Sequence, residues 1–144
     1  MNLTINDITD TGSVVIIMIE DSKTHSQRTF VISNPSRIAL YRKYYGLRPA
    51  HCTNPKFFIK YANGKCANQV IGINKIRNTP KEIATYLKLP EAERYTGHCF
   101  RRSSATLLAN SGADFVTLKR HGGWRSSTVA EGYIAESIER KIEV

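Results

Sequence analysis

Apolar and polar positions follow two different rhythms in this chain. Residues 13–20 (SVVIIMIE) form a β-branched run bounded by Asp10-Thr11-Gly12 in front and Asp21-Ser22 behind. Residues 28–33 (RTFVIS) alternate with period two, and the polar stretch 21–27 joins the two runs as a hairpin with Lys23 near its tip. Asn34-Pro35-Ser36 then opens a helix through about Tyr45, with proline in its first turn and Gly46 past its end. Residues 48–68 are rich in turn formers around a short extended piece, 56–61, and Asn63-Gly64 signals a tight turn. A short helix is expected over about 69–76, and Thr79-Pro80 is read as the start of another running to Leu89, with Ile83, Ala84 and Leu87 at helical spacing. The last third reads as helices over 98–110, 114–120 and 126–134. Ser111-Gly112 and Gly122-Gly123 serve as stops, and Thr128-x-x-Glu131 as a capping box. Residues 135–142 suggest one more short helix. The expected fold is a single α+β domain over residues 1–144, mostly helical, with a small antiparallel β-sheet at its N-terminal end.

Composition narrows the functional classes. A chain of 144 residues is long enough to bury a core without staples. No run of 18 or more apolar residues occurs, and the N-terminus lacks the basic-then-apolar order of a signal peptide, so an intracellular soluble protein is expected. Cys52, Cys66 and Cys99 lack the close pairing of a zinc site and are expected to be reduced thiols; no metal and no cofactor is implied. The net charge of +9 is unevenly spread. Residues 34–88 hold eleven Lys or Arg against one acid, Glu82, interleaved with Tyr41, Tyr44, Tyr45, Phe57, Phe58 and Tyr61. Such a block suits a surface that follows a phosphate backbone, while a solvated basic face or affinity for an anionic membrane stays open on composition alone. No phosphate-cradling glycine loop or RNA-binding signature is present.

The strongest motif lies near the C-terminus: Gly97-His98-Cys99-Phe100-Arg101, then Gly123-Trp124, then Tyr133. Trp124 follows Arg101 by 23 residues and Tyr133 follows Trp124 by 9. Taken singly, each has an ordinary reading: His98 a helix cap, Arg101-Arg102 a phosphate-positioning pair, Trp124 core packing, Tyr133 a core or surface tyrosine, Lys23 a turn lysine. The joint spacing resembles the C-terminal signature of the tyrosine recombinases, the phage-integrase family. The likeness extends over nearly the whole chain. Residues 3–8 (LTINDI) resemble the approach to the family's small sheet, and 19–24 (IEDSKT) its strand-then-lysine hairpin. Ala105-Thr106-Leu107-Leu108 fall at the usual apolar positions after the His-x-x-Arg box, and Trp124 stands where many members carry histidine. The wording of the C-terminal half looks most like the eukaryotic Crypton-like, transposon-borne branch and its domesticated derivatives, which implies a nuclear protein.

The resemblance implies roles for these residues. Tyr133 is the nucleophile that forms a covalent 3′-phosphotyrosyl link. His98 and Arg101, three apart on one helix, meet the same phosphate, and the guanidinium fork can hold two oxygens. Trp124 donates through its indole N–H, and Lys23 protonates the leaving 5′ oxygen. Arg102, Lys56, Lys60, Lys65 and Arg125 are the candidate DNA-backbone contacts. The implied partner is double-stranded DNA, with a homo-oligomer assembled on it and the C-terminal tail packed on a neighbouring protomer; no membrane and no small-molecule cofactor is implied. The family's first arginine, in an Arg-x-x-Glu stretch, belongs upstream of the segment matching Leu3, and Met1 arrives after it. That arginine, its helix and the separate DNA-clamping domain are therefore expected to be missing. Loss of one such donor removes about 3–4 kcal/mol of transition-state stabilisation, so weak or no recombination by this chain alone is expected. The alternative is a domesticated, catalytically inactive module that binds DNA or a protein partner.

Overall fold

The computed structural model describes the backbone of residues 3–20 and 27–142, and side chains as far as residue 135. The chain divides into two compact units, Met1–Ile73 and Asn74–Val144.

In the first unit a 3₁₀ turn at Ile5–Asp7 leads into a three-stranded antiparallel sheet of β1 (Ile8–Asp10), β2 (Val15–Glu20) and β3 (Gln27–Ile32), with β2 central. The β-branched runs pair in register, Val15 opposite Ile32 and Ile17 opposite Phe30, and Val15 is fully buried. Strand β1 was not expected from the sequence, where three residues, Ile8-Thr9-Asp10, carry too little periodicity to show. Helix α1 (Pro35–Gly46) begins as read: the Asn34 side chain accepts from the N–H groups of Ser36 and Arg37, and Pro35 occupies the first turn. Arg42 on α1 reaches back to the sheet, donating to both carboxylate oxygens of Asp10 at 2.7 and 2.8 Å and to the Gly12 carbonyl at 2.8 Å. The guanidinium, with help from the Gly12 N–H, holds the Asp10 carboxyl down at about 2.

The turn-rich stretch after α1 resolves into a hairpin. Strand β4 (Ile59–Ala62) pairs with β5 (Lys65–Val70) through the two-residue loop Asn63-Gly64, both at positive φ (52° and 80°), as a type I′ turn requires. Residues 69–70 are therefore strand, not the start of a helix; Lys65–Val70 (KCANQV) has only one β-branched residue, and the turn chemistry decides its state. Four aromatics of this block pack together, Phe57 lying within 6 Å of Tyr41, Tyr44 and Phe58, while Tyr45 and Tyr61 stay exposed. The Tyr44 hydroxyl accepts from the Ile59 N–H at 3.0 Å and donates to the Ile59 carbonyl at 2.9 Å, and burial raises its pKa. Arg48 pins the preceding loop by donating to the carbonyls of Asn54, Lys56 and Phe57.

The second unit is helical. Helix α2 (Ile73–Tyr86) is continuous and carries Pro80 in its interior, so Thr79-Pro80 does not begin a helix. Proline removes one backbone donor there, the one that would reach the Ile76 carbonyl, and the Thr79 hydroxyl beside it donates to the Lys75 carbonyl at 3.0 Å. Helices α3 (Gly97–Asn110), α4 (Phe115–Gly122) and α5 (Ser127–Ile142) surround a core of Ala105, Ala109, Leu118 and Ala130. Two details of the sequence reading change. The 126–134 and 135–142 segments are one helix, and Thr128 lies inside its first turn, its N–H donating to the Ser126 hydroxyl at 3.3 Å. Among the described residues no helix is long and apolar enough to cross a membrane.

Candidate active site

Three helix ends in the second unit set the site. Thr96 caps α3, its N–H donating to the Cys99 sulfur at 3.2 Å, which places His98 and Arg101 in the first two turns. Asp114 caps α4, accepting from the Thr117 N–H at 2.8 Å, and the Thr117 hydroxyl together with that N–H lowers the Asp114 pKa. Helix α4 stops where glycine takes the left-handed conformation: Gly123 has φ 62°, its N–H reaches the Arg120 carbonyl, and the Trp124 N–H reaches the Lys119 carbonyl. This is a Schellman stop, and it delivers Trp124 immediately after the helix end.

The stop leaves the Gly122 carbonyl without an intrahelical donor. Arg101 supplies one, its Nη2 donating to the Gly122 oxygen. A cation at the negative end of a helix is favourable in its own right. From there the guanidinium carbon sits 5.2 Å from the centre of the Trp124 ring. The indole stacks in turn on Tyr133, with ring centroids 5.2 Å apart and planes 21° from parallel. Arginine, tryptophan and tyrosine thus form one column, contributed by α3, by the segment after α4 and by α5. Both rings rest against the alanine and leucine core. Beside the column, Ser104 on α3 and His121 on α4 share a hydrogen bond of 2.6 Å.

The other candidates fall in different places. His98 is exposed on the first turn of α3, one turn before Arg101, and no contact among the described residues joins it to the column. Lys23 lies outside the described residues. Arg102 and Arg125 are exposed in the second unit. Lys60 and Lys65 are exposed on the β4–β5 hairpin in the first unit, beside an open cleft of about 530 Å³ that they line with His51 and Asn68. Lys56 is half-buried and its backbone bridges to Thr4. Among the described residues no cluster of three His, Cys, Asp or Glu side chains could hold a metal ion. The sequence alone does not single out Gly122, Ser104 or His121: Gly122 reads there as part of a helix stop, and nothing in one sequence marks which glycine carries an aromatic ring.

Comparison with known proteins places this geometry. The model of the phage integrase family matches residues 1–140. No curated protein matches the chain significantly. Among solved structures, the XerH site-specific recombinase bound to a palindromic difH substrate, in a post-cleavage complex, superposes with a TM-score of 0.73 at 20% identity. That match covers 99% of this chain and 38% of XerH. The pre-cleavage XerH complex with difH gives 0.72 at 19% identity, covering 99% and 39%. The XerA recombinase gives 0.71 at 21% identity, covering 92% of this chain and 44% of XerA. The chain therefore spans about two-fifths of the length of these proteins and shares the fold of their matching portion. With the family model covering all but its last four residues, the chain belongs to the phage integrase family, the tyrosine recombinases, and has the α+β fold of their catalytic domain.

Proposed function

We propose that this chain binds duplex DNA and breaks and rejoins a strand through Tyr133. The Tyr133 Oη gives up its proton to solvent water and bonds to a backbone phosphorus; the bond from phosphorus to the 5′ oxygen breaks. The freed 5′ oxygen takes a proton from Lys23, and a 3′-phosphotyrosyl link remains. Attack by a 5′ hydroxyl reverses the step, so the energy of the broken bond is kept for rejoining. Negative charge grows on the two non-bridging oxygens during attack, and Arg101 and His98 donate to them. The Arg101 guanidinium spends one of its five N–H groups on Gly122, which leaves four for phosphate. Trp124 aligns the phenol by stacking and offers its indole N–H to the same anion. The role of Lys23 rests on the resemblance of residues 19–24 alone.

The observation that carries this reading is the Arg101–Trp124–Tyr133 column within a family match that runs over residues 1–140. A library of nicked duplexes with randomised sites tests it, because a nick beside the cleavage site releases a short strand and traps the covalent link. The expected result is a protein–DNA adduct that is absent in Tyr133→Phe. No adduct, either from this chain or from a version extended upstream, counts against cleavage. Salt-sensitive binding of equal strength in Tyr133→Phe, without adduct, would instead identify a catalytically inactive DNA-binding module. Binding that ignores salt would contradict contact with the phosphate backbone. Charge reversal at Lys60 and Lys65 should lower the log–log salt slope of DNA binding by about 2, since each phosphate contact contributes about 0.9. Assembly of several copies on one duplex belongs to the same proposal and is read from the stoichiometry of the complex.

A further inference from the structure

We infer that Gly122 is a positioning residue for this site, and that its missing side chain is the seat of the Trp124 indole. A Cβ built at Gly122 would fall among the fused-ring carbons Cδ2, Cε2 and Cε3 of Trp124, closer than real Cβ atoms come to any neighbour. Those are rigid ring atoms rather than the end of a flexible chain, so with any residue but glycine the ring has to leave its place. The φ of Gly122 is not left-handed, and the adjacent Gly123 already supplies the φ of 62° that the helix stop needs. Gly122 is therefore not explained by backbone conformation. Space for the indole explains it.

The same residue holds the other end of the contact. Its carbonyl is the acceptor for Arg101 Nη2, so one glycine anchors the cation through its oxygen and makes room for the ring by lacking a Cβ. The neighbouring bond between Ser104 and His121 fixes the end of α4 to α3 one turn beyond Arg101. Displacing the indole would remove the surface on which Tyr133 stacks and over which Arg101 lies. The part of this inference that concerns DNA cleavage rests on the function proposed above; the part that concerns the ring does not.

Trp124 is the only tryptophan, so the fluorescence of the intact chain reports this ring alone. Gly122→Ala is compared with Gly132→Ala, which adds the same methyl beside Tyr133 where nothing lies within 4 Å. Gly122→Ala is expected to shift the emission to longer wavelength and to increase quenching by acrylamide, while Gly132→Ala leaves both unchanged. In a single-turnover assay on nicked DNA, Gly122→Ala should form adduct on the order of a hundredfold more slowly, the usual effect of a misplacement near 1 Å, with DNA affinity kept. In a Trp124→Ala background, the Gly122→Ala change should bring no further loss of adduct or of stability, because the ring it displaces is gone. Unchanged fluorescence in Gly122→Ala, or a full additional loss in the Trp124→Ala background, would overturn the inference. If Gly122→Ala alone fails to fold, a folded Gly122→Ala/Trp124→Ala double variant supports it and an unfolded one refutes it. Absence of adduct from the unsubstituted chain would sink the cleavage reading and leave the fluorescence to decide the role of Gly122.

Discussion

The column can be dissected by double-mutant cycles in urea, followed by circular dichroism so that the tryptophan itself can be removed. The perturbations are Trp124→Ala, Arg101→Ala and Tyr133→Ala, singly and in pairs. Arg101 is exposed and its guanidinium lies 5.2 Å from the indole centre, which puts the cation–π coupling at the lower end, about 0.5–1 kcal/mol. The Trp124–Tyr133 stack at 5.2 Å and 21° should couple by about 0.5–1.5 kcal/mol beyond simple burial. Losing the Gly122 bond is common to every variant lacking Arg101 and cancels from the cycle. Residues not in contact add to within about 0.3–0.5 kcal/mol, which sets the threshold for a result. Arg101→Lys should keep the charge and lose most of the coupling, because an ammonium has no plane to lay on the ring. Tyr133→Phe should keep the stacking energy while removing the hydroxyl, so stability and nucleophilicity separate in that one variant. Couplings below about 0.3 kcal/mol for both pairs would mean that the three side chains do not form a column in solution, and the alignment argument for Tyr133 would fail with them.

Three further changes probe what supports the site and the fold. Leu118 is fully buried at the centre of the α3–α4–α5 core, so Leu118→Ala should destabilise the chain by about 2–5 kcal/mol, measured as a shift in urea midpoint. Tyr44→Phe removes both hydrogen bonds to the backbone of the buried Ile59 and should destabilise by about 1–3 kcal/mol, while Tyr45→Phe, on an exposed ring, should be near neutral. Asp10 sits near 2 instead of 3.8 because Arg42 and the Gly12 N–H favour its charged form. A depressed carboxyl contributes stability that is complete above its ordinary value and is lost as pH falls through the folded one. The unfolding midpoint should therefore fall between about pH 4 and pH 2, and Asp10→Asn should flatten that part of the profile; an unaltered slope would contradict the assignment.

How much of this was legible in one sequence depended on whether a residue's role is set locally. The β2–β3 hairpin was readable because both strands are β-branched and must pair to hide Val15 and its neighbours. Helix α1 announced itself through Asn34 and Pro35, and α4 through Asp114 and the Gly122-Gly123 stop. Residues 65–70 were misread because a strand without alternation takes its identity from the Asn63-Gly64 turn and its partner β4. Pro80 was misread because proline opens helices far more often than it sits inside them, and only tertiary burial keeps it within α2. The interleaving of bases with aromatics suggests one DNA-facing surface; Tyr41, Tyr44, Phe57 and Phe58 pack on each other, and only Tyr45 and Tyr61 of that set stay exposed. Composition counts residue types and carries no information about the face they occupy.

Spacing was informative for the site because it encodes helix registration rather than chemistry. Arg101 precedes Ala105 by four residues on α3, and Tyr133 follows Ala130 by three on α5, so each of these candidate side chains shares a face with a buried alanine. Those alanines let α3 and α5 approach closely around Leu118, among the described residues the one large side chain fully buried in this core. Trp124 is brought to the same place by the length of α4 and by where its Schellman stop falls. The distances of 23 and 9 residues are thus the lengths of chain needed to cross the core and return to it. A histidine, an arginine or a tyrosine alone carries no such constraint. Their separation does, because a slip of one residue along α5 would turn the phenol by about 100° and take it off the face that Ala130 defines.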